Sequence, residues 1–209
     1  IKGFATYFKQ RYQDVDEDQQ TASIMIQEVD RLNRVVSQLL EFARPVSISP
    51  KPASISDLVA DSVKLIEQQA RDSQIKIDIR DAAEIDRIDI DADRLNQVLL
   101  NIYLNAIGAM QPGGKLRIDV AASAGGETGS LDIRVSDTGC GIAQEDLPKV
   151  FDPYFTTKST GTGLGLAIAH NIVEAMGGTI DVESEVDAGT TFRIVIPVVG
   201  KQKENDKFD

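Results

Sequence analysis

At 209 residues the chain has room for one full domain and a smaller element, and an apolar fraction of 42% can supply a core. A formal charge of −11 at pH 7 argues against a nucleic acid or an anionic membrane surface as partner. The single cysteine rules out an intrachain disulfide, in keeping with a reducing cytosol, and neither a signal peptide nor an apolar run near the ~20 residues that span a bilayer is visible.

The chain opens in mid-pattern at Ile1, so a piece of a longer protein is expected. Residues 1–11 read as the end of a helix with Phe4 and Phe8 on its seam, and residues 13–17 as a hairpin loop. Residues 18–42 read as a second helix. In it Ala22, Met25, Val29, Leu32, Val36 and Leu39 step by three and four, the seam of a coiled coil or bundle, with Gln27, Asp30, Arg31, Arg34 and Gln38 opposite. A hairpin this small buries too little to stand alone. Residues 1–44 are therefore expected to pair with a second copy, the alternative being a helix packed only on its own following domain.

Pro45, Pro50 and Pro52 cannot continue a helix and mark residues 45–53 as a linker. Residues 54–199 then form a domain. Its first helix is expected at 56–71 with Ser56 as N-cap, followed by a half-buried strand at 74–80 through Ile75, Ile77 and Ile79 and a short strand at 87–90. A strongly periodic helix over 93–110 carries Leu95, Val98, Leu99, Ile102 and Ile107. Strands at 115–122 and 131–135 flank a glycine-rich loop, 124–129. A helix at 166–176 stops at Gly177-Gly178, and strands at 179–185 and 190–198 close the domain. Residues 200–209 read as a disordered polar tail. This order predicts an α+β fold, an α/β sandwich with one mixed sheet and helices on one face, preceded by a helical hairpin.

Four glycine and polar motifs lie along this frame: Asn101-x-x-x-Asn105, Asp137-x-Gly139-x-Gly141, Gly161-x-Gly163-x-Gly165 and Gly189-Thr190-Thr191. Asn101 and Asn105, four apart, fall on one helical face, where a neutral amide oxygen can ligate magnesium without repelling phosphate. Asp137 ends a strand and can accept a hydrogen bond from an exocyclic amine such as adenine N6, while Gly139 and Gly141 let backbone approach a flat base. A strand-ending turn explains the same residues. Gly161-Thr162-Gly163-Leu164-Gly165 runs into a helix N-terminus, whose free N–H groups favour phosphate, although its spacing is neither a dinucleotide fingerprint nor a P-loop. Just upstream, Phe151-Asp152-Pro153-Tyr154-Phe155-Thr156-Thr157-Lys158 adds an aromatic cluster and a cation.

Asn101–Asn105, Asp137–Gly141, Phe151–Phe155 and Gly161–Gly165, in this order, resemble the N, G1, F and G2 boxes of the ATP-binding catalytic domain of two-component sensor histidine kinases, of the wider GHKL ATPase type. The Pro-Tyr-Phe-Thr-Thr-Lys string resembles their nitrogen-regulation and zinc-responsive branch. The resemblance implies ATP and magnesium as cofactors, with Asn105 and Asn101 as metal ligands. It implies Asp137 as the reader of adenine, Gly161, Thr162, Gly163, Leu164 and Gly165 as the lid over the phosphates, and Thr191 as closing the adenine side. Many relatives carry a lysine and a tyrosine just after the second asparagine. Gly108 and Ala109 stand there, so Lys158 is the candidate phosphate cation. The phosphoacceptor histidine of the family would lie upstream of Ile1. The single histidine, His170, lacks the acidic context of an acceptor and reads as a partly exposed helix residue, so self-phosphorylation is not expected.

The same resemblance implies a homodimer through residues 1–44, a response-regulator receiver as partner, and no nucleic acid. It also implies a cytoplasmic portion, making no membrane contact itself, of a membrane-anchored sensor. Two other hypotheses stay open. One is a hydrolytic ATPase on the same fold, against which Asn101 counts because such relatives carry a glutamate there. The other is a non-enzymatic, ATP-gated dimerisation and regulator-binding module.

Overall fold

The structure is a computed structural model that describes residues 16–83, 87–123, 129–158 and 161–198. The expected helix end at 1–11, the first part of the hairpin loop, residues 124–128 of the glycine-rich loop and the tail at 200–209 lie outside the described residues. The chain divides into two compact units, Ile1–Pro45 and Val46–Asp209.

In the first unit α1 spans Asp16–Phe42. It starts two residues before the expected position, so residues 16 and 17 are helical rather than loop. Met25, Leu32, Val36 and Leu39, four of the expected seam residues, are solvent-exposed, as are Ile24 and Leu40. A helix with this much apolar surface in water carries an unmet burial demand.

The second unit is built on a five-stranded mixed sheet. β1 is Lys51–Ser54, β2 Lys76–Asp81, β3 Arg87–Ile90, β4 Lys115–Ser123, β5 Gly129–Asp137, β6 Thr179–Glu185 and β7 Gly189–Val198. The main sheet has the order β2-β4-β5-β7-β6, with β2 parallel to β4 and every other pair antiparallel. Side chains alternate across it, as period two requires. Leu116, Ile118, Leu131, Ile133, Val135, Phe192, Ile194 and Ile196 are buried on one face. Arg134 and Arg193 on the other are exposed, and Asp132 pairs with both. The apolar face is met by α4, Ala92–Ile107, with Leu95, Val98, Leu99 and Ile102 buried, and by α5, Gly165–Ala175, with Ile168, Ile172 and Val173 buried. Each such side chain contributes ~1.5–3 kcal/mol on burial.

Three local expectations are corrected. β3 does not join the main sheet but pairs with β1 in a separate two-stranded sheet, so part of the proline linker is strand. The helix expected at 56–71 is two, α2 at Ile55–Lys64 and α3 at Glu67–Asp72, parted by a tight turn in which the Ile66 amide donates to the Val63 carbonyl at 3.0 Å. Its cap is Ser54 rather than Ser56: Ser54 Oγ accepts from the Asp57 amide at 3.2 Å, while the Ser56 hydroxyl goes to Asp81.

α4 is held at both ends and in the middle. Asp91 Oδ1 accepts from the Arg94 amide at 3.1 Å as its N-cap, and Asp91 Oδ2 accepts from the Ser49 amide at 2.8 Å. The buried Tyr103 hydroxyl meets Ser62 Oγ of α2 at 3.3 Å, and burial pushes its pKa up to about 12. At the C-terminal end the Ala109 carbonyl accepts from the Cys140 amide at 3.0 Å, tying α4 to the loop after β5.

Candidate functional site

That tie brings the end of α4 and the end of β5 to one cleft with a cavity volume of about 130 Å³. Asn105 from α4, Asp137 from β5, Gly141 and Thr190 line it together with Thr156, Thr157 and Lys158, over an apolar floor that includes Val150, Leu166 and Phe192. The helical spacing works as expected for one asparagine more directly than for the other. Asn105 faces the cleft. Asn101 stands against the start of α5, where a Cβ on Gly165 would lie 3.4 Å from Asn101 Oδ1.

Asp137 is only 7% exposed. Its Oδ1 accepts from the Gly139 amide at 2.8 Å. Burial holds its carboxyl above the usual carboxylate range, while the amides of Gly139 and Thr190 and the charge of Lys158 work against that shift. A largely desolvated carboxylate at the end of a cleft favours a ligand that brings donors. The glycines beside it are required by space and by backbone. A Cβ on Gly139 would lie 2.8 Å from the Ala109 carbonyl oxygen. Gly141 has φ +70° and a Cβ there would run into the Glu185 carbonyl.

The opposite wall is built by Val150, Phe155, Thr156, Thr157 and Lys158, and the turn at 161–165 packs against residues 154–156. The Tyr154 amide, at a φ of +67°, donates to the Gly163 carbonyl at 3.0 Å. Gly163 has φ +68°, and a Cβ there would meet the Tyr154 carbonyl carbon. A Cβ on Gly161 would meet Thr156 Oγ1. Thr162 Oγ1 accepts from the Leu164 amide at 3.4 Å. The Leu164 side chain is buried in the core, so only its backbone is available to a ligand. α5 then begins at Gly165 with no side-chain cap, which leaves N–H groups and the positive dipole end toward the site. Lys158 Nζ donates to the Asn105 carbonyl at 3.0 Å. Burial pushes this ammonium below its ordinary pKa, with Cys140 and Asp137 opposing.

Thr191 is placed elsewhere. β7 alternates, and Thr191 Oγ1 pairs with Ser136 Oγ at 2.9 Å on the outer face of the sheet, beside Arg134, Arg193 and Glu183. The cleft residue is its neighbour Thr190, buried, with Oγ1 2.9 Å from Ser184 Oγ. The inward phase of Phe192, Ile194 and Ile196 is the signal that selects Thr190. Cys140, which sequence reasoning misses, lines the cleft as an exposed free thiol. His170 sits on α5 with its ring 5.2 Å from that of Phe151 and Nδ1 3.4 Å from Glu174 Oε2.

Among the described residues no group of three or more His, Cys, Asp or Glu is placed to hold a metal ion. From α4 the cleft receives the Asn105 amide, with Asn101 one turn away beside Gly165. That set is too sparse to cage a cation, but it suits magnesium that keeps waters and takes the rest of its ligands from phosphates.

Residues 90–200 match the family model described as histidine kinase-, DNA gyrase B- and HSP90-like ATPase. The sensor histidine kinase ZraS of Salmonella typhimurium is 42% identical over 204 residues, covering 98% of this chain and 43% of ZraS. The chain thus spans less than half the length of that relative. Among solved structures, full-length ShkA in complex with AMPPNP superposes with a TM-score of 0.78 at 26% identity, over 96% of this chain and 43% of ShkA. Histidine kinase ThkA in complex with the response regulator protein TrrA gives 0.71 at 27% identity, over 93% of this chain and 55% of the other.

Proposed function

The chain belongs to the histidine kinase-, DNA gyrase B- and HSP90-like ATPase family, and on that premise we propose that it is the Mg·ATP-binding kinase core of a two-component sensor. The observation that carries the proposal is the meeting, in one cleft, of a buried carboxylate, Asp137, with an asparagine amide, Asn105. Asp137 accepts the adenine N6 amine, and Gly139 and Gly141 let the base lie against backbone. Asn105 holds magnesium, with Asn101 as second ligand or water partner; the ion neutralises phosphate charge when bound. The turn from Gly161 to Gly165 covers the phosphates, and the Lys158 ammonium meets their charge. Thr190 takes the role expected of Thr191.

The reaction is phosphoryl transfer. A histidine nitrogen on a bundle helix upstream of Ile1 attacks the γ-phosphorus in line. The N–P bond forms as the bond to the β,γ-bridging oxygen breaks, and ADP leaves. The phosphoryl group then moves to an aspartate of a receiver domain. Residues 1–44 form the dimerisation segment, in keeping with the exposed apolar stripe of α1, and residues 54–199 the catalytic domain. Residues 45–53 are the linker, whose end is the start of β1, and 200–209 a tail. Among the described residues no helix is long and apolar enough to cross a membrane. We place this portion on the cytoplasmic side of a membrane-anchored parent.

The test is γ-labelled ATP. No label is expected on the isolated chain. Acid-labile label is expected on an added partner that carries the histidine-bearing helix, and then on a receiver. Label on the isolated chain would make His170 an acceptor and overturn the assignment. Release of free phosphate without transfer would favour a hydrolytic ATPase. Nucleotide binding and dimerisation with no transfer would favour a regulator-binding module.

A further inference from the structure

α4 ends without a basic residue of its own in its last turn. Its closing amides do not use every carbonyl in the helical pattern. Gly108 N–H bonds Leu104 O at 3.0 Å, and Ala109 N–H bonds Ala106 O at 3.0 Å. The Asn105 carbonyl accepts from Lys158 Nζ instead. A cation at a helix C-terminus is favourable on its own account, and here it arrives from a loop that forms a wall of the cleft. Position 108 leaves room for it. A Cβ on Gly108 would lie 2.9 Å from Lys158 Nζ. Gly108 has φ −72° and ψ −8°, values open to any residue, so its backbone does not require glycine and the space it leaves does matter. The near end of the same loop is braced, with Lys158 N–H on Thr156 Oγ1 at 3.1 Å and Tyr154 N–H on Gly163 O at 3.0 Å.

We propose that Lys158 is a latch: without nucleotide it fastens residues 154–158 to the C-terminal end of α4 through the gap at Gly108, and an entering triphosphate draws the ammonium off the Asn105 carbonyl. The release half rests on the nucleotide reading; the latch itself does not. The exchange runs forward because the Asn105 carbonyl is a neutral acceptor, whereas an ionised phosphate adds the attraction of opposite charges to the hydrogen bond. Adenosine, with no phosphate, has nothing to offer the ammonium and leaves the latch shut. Opening of the latch therefore limits the rate at which the phosphate end of a nucleotide seats.

Three forms of the full chain test this: wild type, Gly108→Ala and Lys158→Met. Hydrogen exchange of amides 154–158 is measured without nucleotide, and association with fluorescent ATP and with adenosine is followed by stopped flow. Both variants are expected to speed apo exchange several-fold and to speed ATP association. Gly108→Ala, which displaces the ammonium without removing it, binds ATP at least as tightly as the wild type. Lys158→Met loses about tenfold in ATP affinity or more, as expected for a bond to a charged group, and keeps its affinity for adenosine. Unchanged apo exchange in both variants overturns the latch. Faster exchange in Lys158→Met alone overturns the role of the gap. Faster exchange in both, with no binding of ATP or adenosine to any form, leaves the latch standing and removes the nucleotide reading.

Discussion

Replacing Asp137 by asparagine keeps the shape of the side chain and changes its chemistry at one atom. In the native cleft Oδ1 is occupied by the Gly139 amide at 2.8 Å. An asparagine oxygen can keep that bond, which leaves its NH2 at the position of the second carboxylate oxygen. An adenine N6 amine arriving there meets a donor instead of an acceptor. The loss comprises a hydrogen bond to a charged acceptor, ~1.5–3 kcal/mol, or about ten- to hundredfold in Kd. Calorimetry should show the same fractional loss for ATP, ADP and adenosine, because the contact is to the base. Equal affinity in the wild type and in Asp137→Asn refutes the adenine assignment, and a loss confined to ATP relocates Asp137 to the phosphates.

The pH dependence has a definite sign. Burial raises the Asp137 pKa in the folded chain, so this group's contribution to stability is full below the unfolded value of ~3.9 and is lost as pH rises through the raised folded value. Asp137→Asn has no such loss, so its stability relative to wild type should improve between pH 4 and pH 7 in urea titrations. A relative stability that is flat or falls over that range contradicts the buried-carboxylate account.

Asn105→Ala should weaken ATP binding far more in magnesium than in EDTA, and an equal loss in both would remove Asn105 as a metal ligand. Gly163→Val forces a β-branched residue to φ +68° and into Tyr154, a strain of about 1–2 kcal/mol from the backbone alone. It should weaken ATP binding while sparing adenosine, and unchanged ATP affinity would show that this turn does not shape the phosphate end. Leu32→Glu, on the exposed stripe of α1, should abolish the dimer in sedimentation while leaving ATP binding intact. A surviving dimer would move the interface elsewhere, and lost ATP binding would contradict the division into separate units.

The long periodic elements can be read directly from the chain. Leu95, Val98, Leu99 and Ile102 define α4 whatever surrounds it, and Ile194 and Ile196 define β7. What escapes such a reading is decided by neighbours distant in sequence. β1 contains Pro52 and has no apolar alternation, and it is a strand only because β3 lies beside it. The break between α2 and α3 has no glycine or proline to announce it, and the buried series Val59, Val63, Ile66 and Ala70 keeps a helical step straight across it. At the site, Asn105, Asp137 and the glycines are identified by type and spacing. The motif alone selects Thr191 over Thr190, although the alternation of β7 already points inward at 190. The contact between Lys158 and Asn105 joins residues 53 positions apart and has no local signature.

The central claim is that the cleft between α4, β5 and the start of α5 is the Mg·ATP site. Its most direct test is a residue-resolved NMR titration of the chain with a non-hydrolysable ATP analogue and magnesium. Saturable shifts should converge on the amides of Asn105, Asp137, Gly139, Gly141, Thr190 and the turn from Gly161 to Gly165, with Arg134 and Arg193 on the outer face of the sheet unmoved. Saturable shifts centred on that outer face, or none at all, would contradict it.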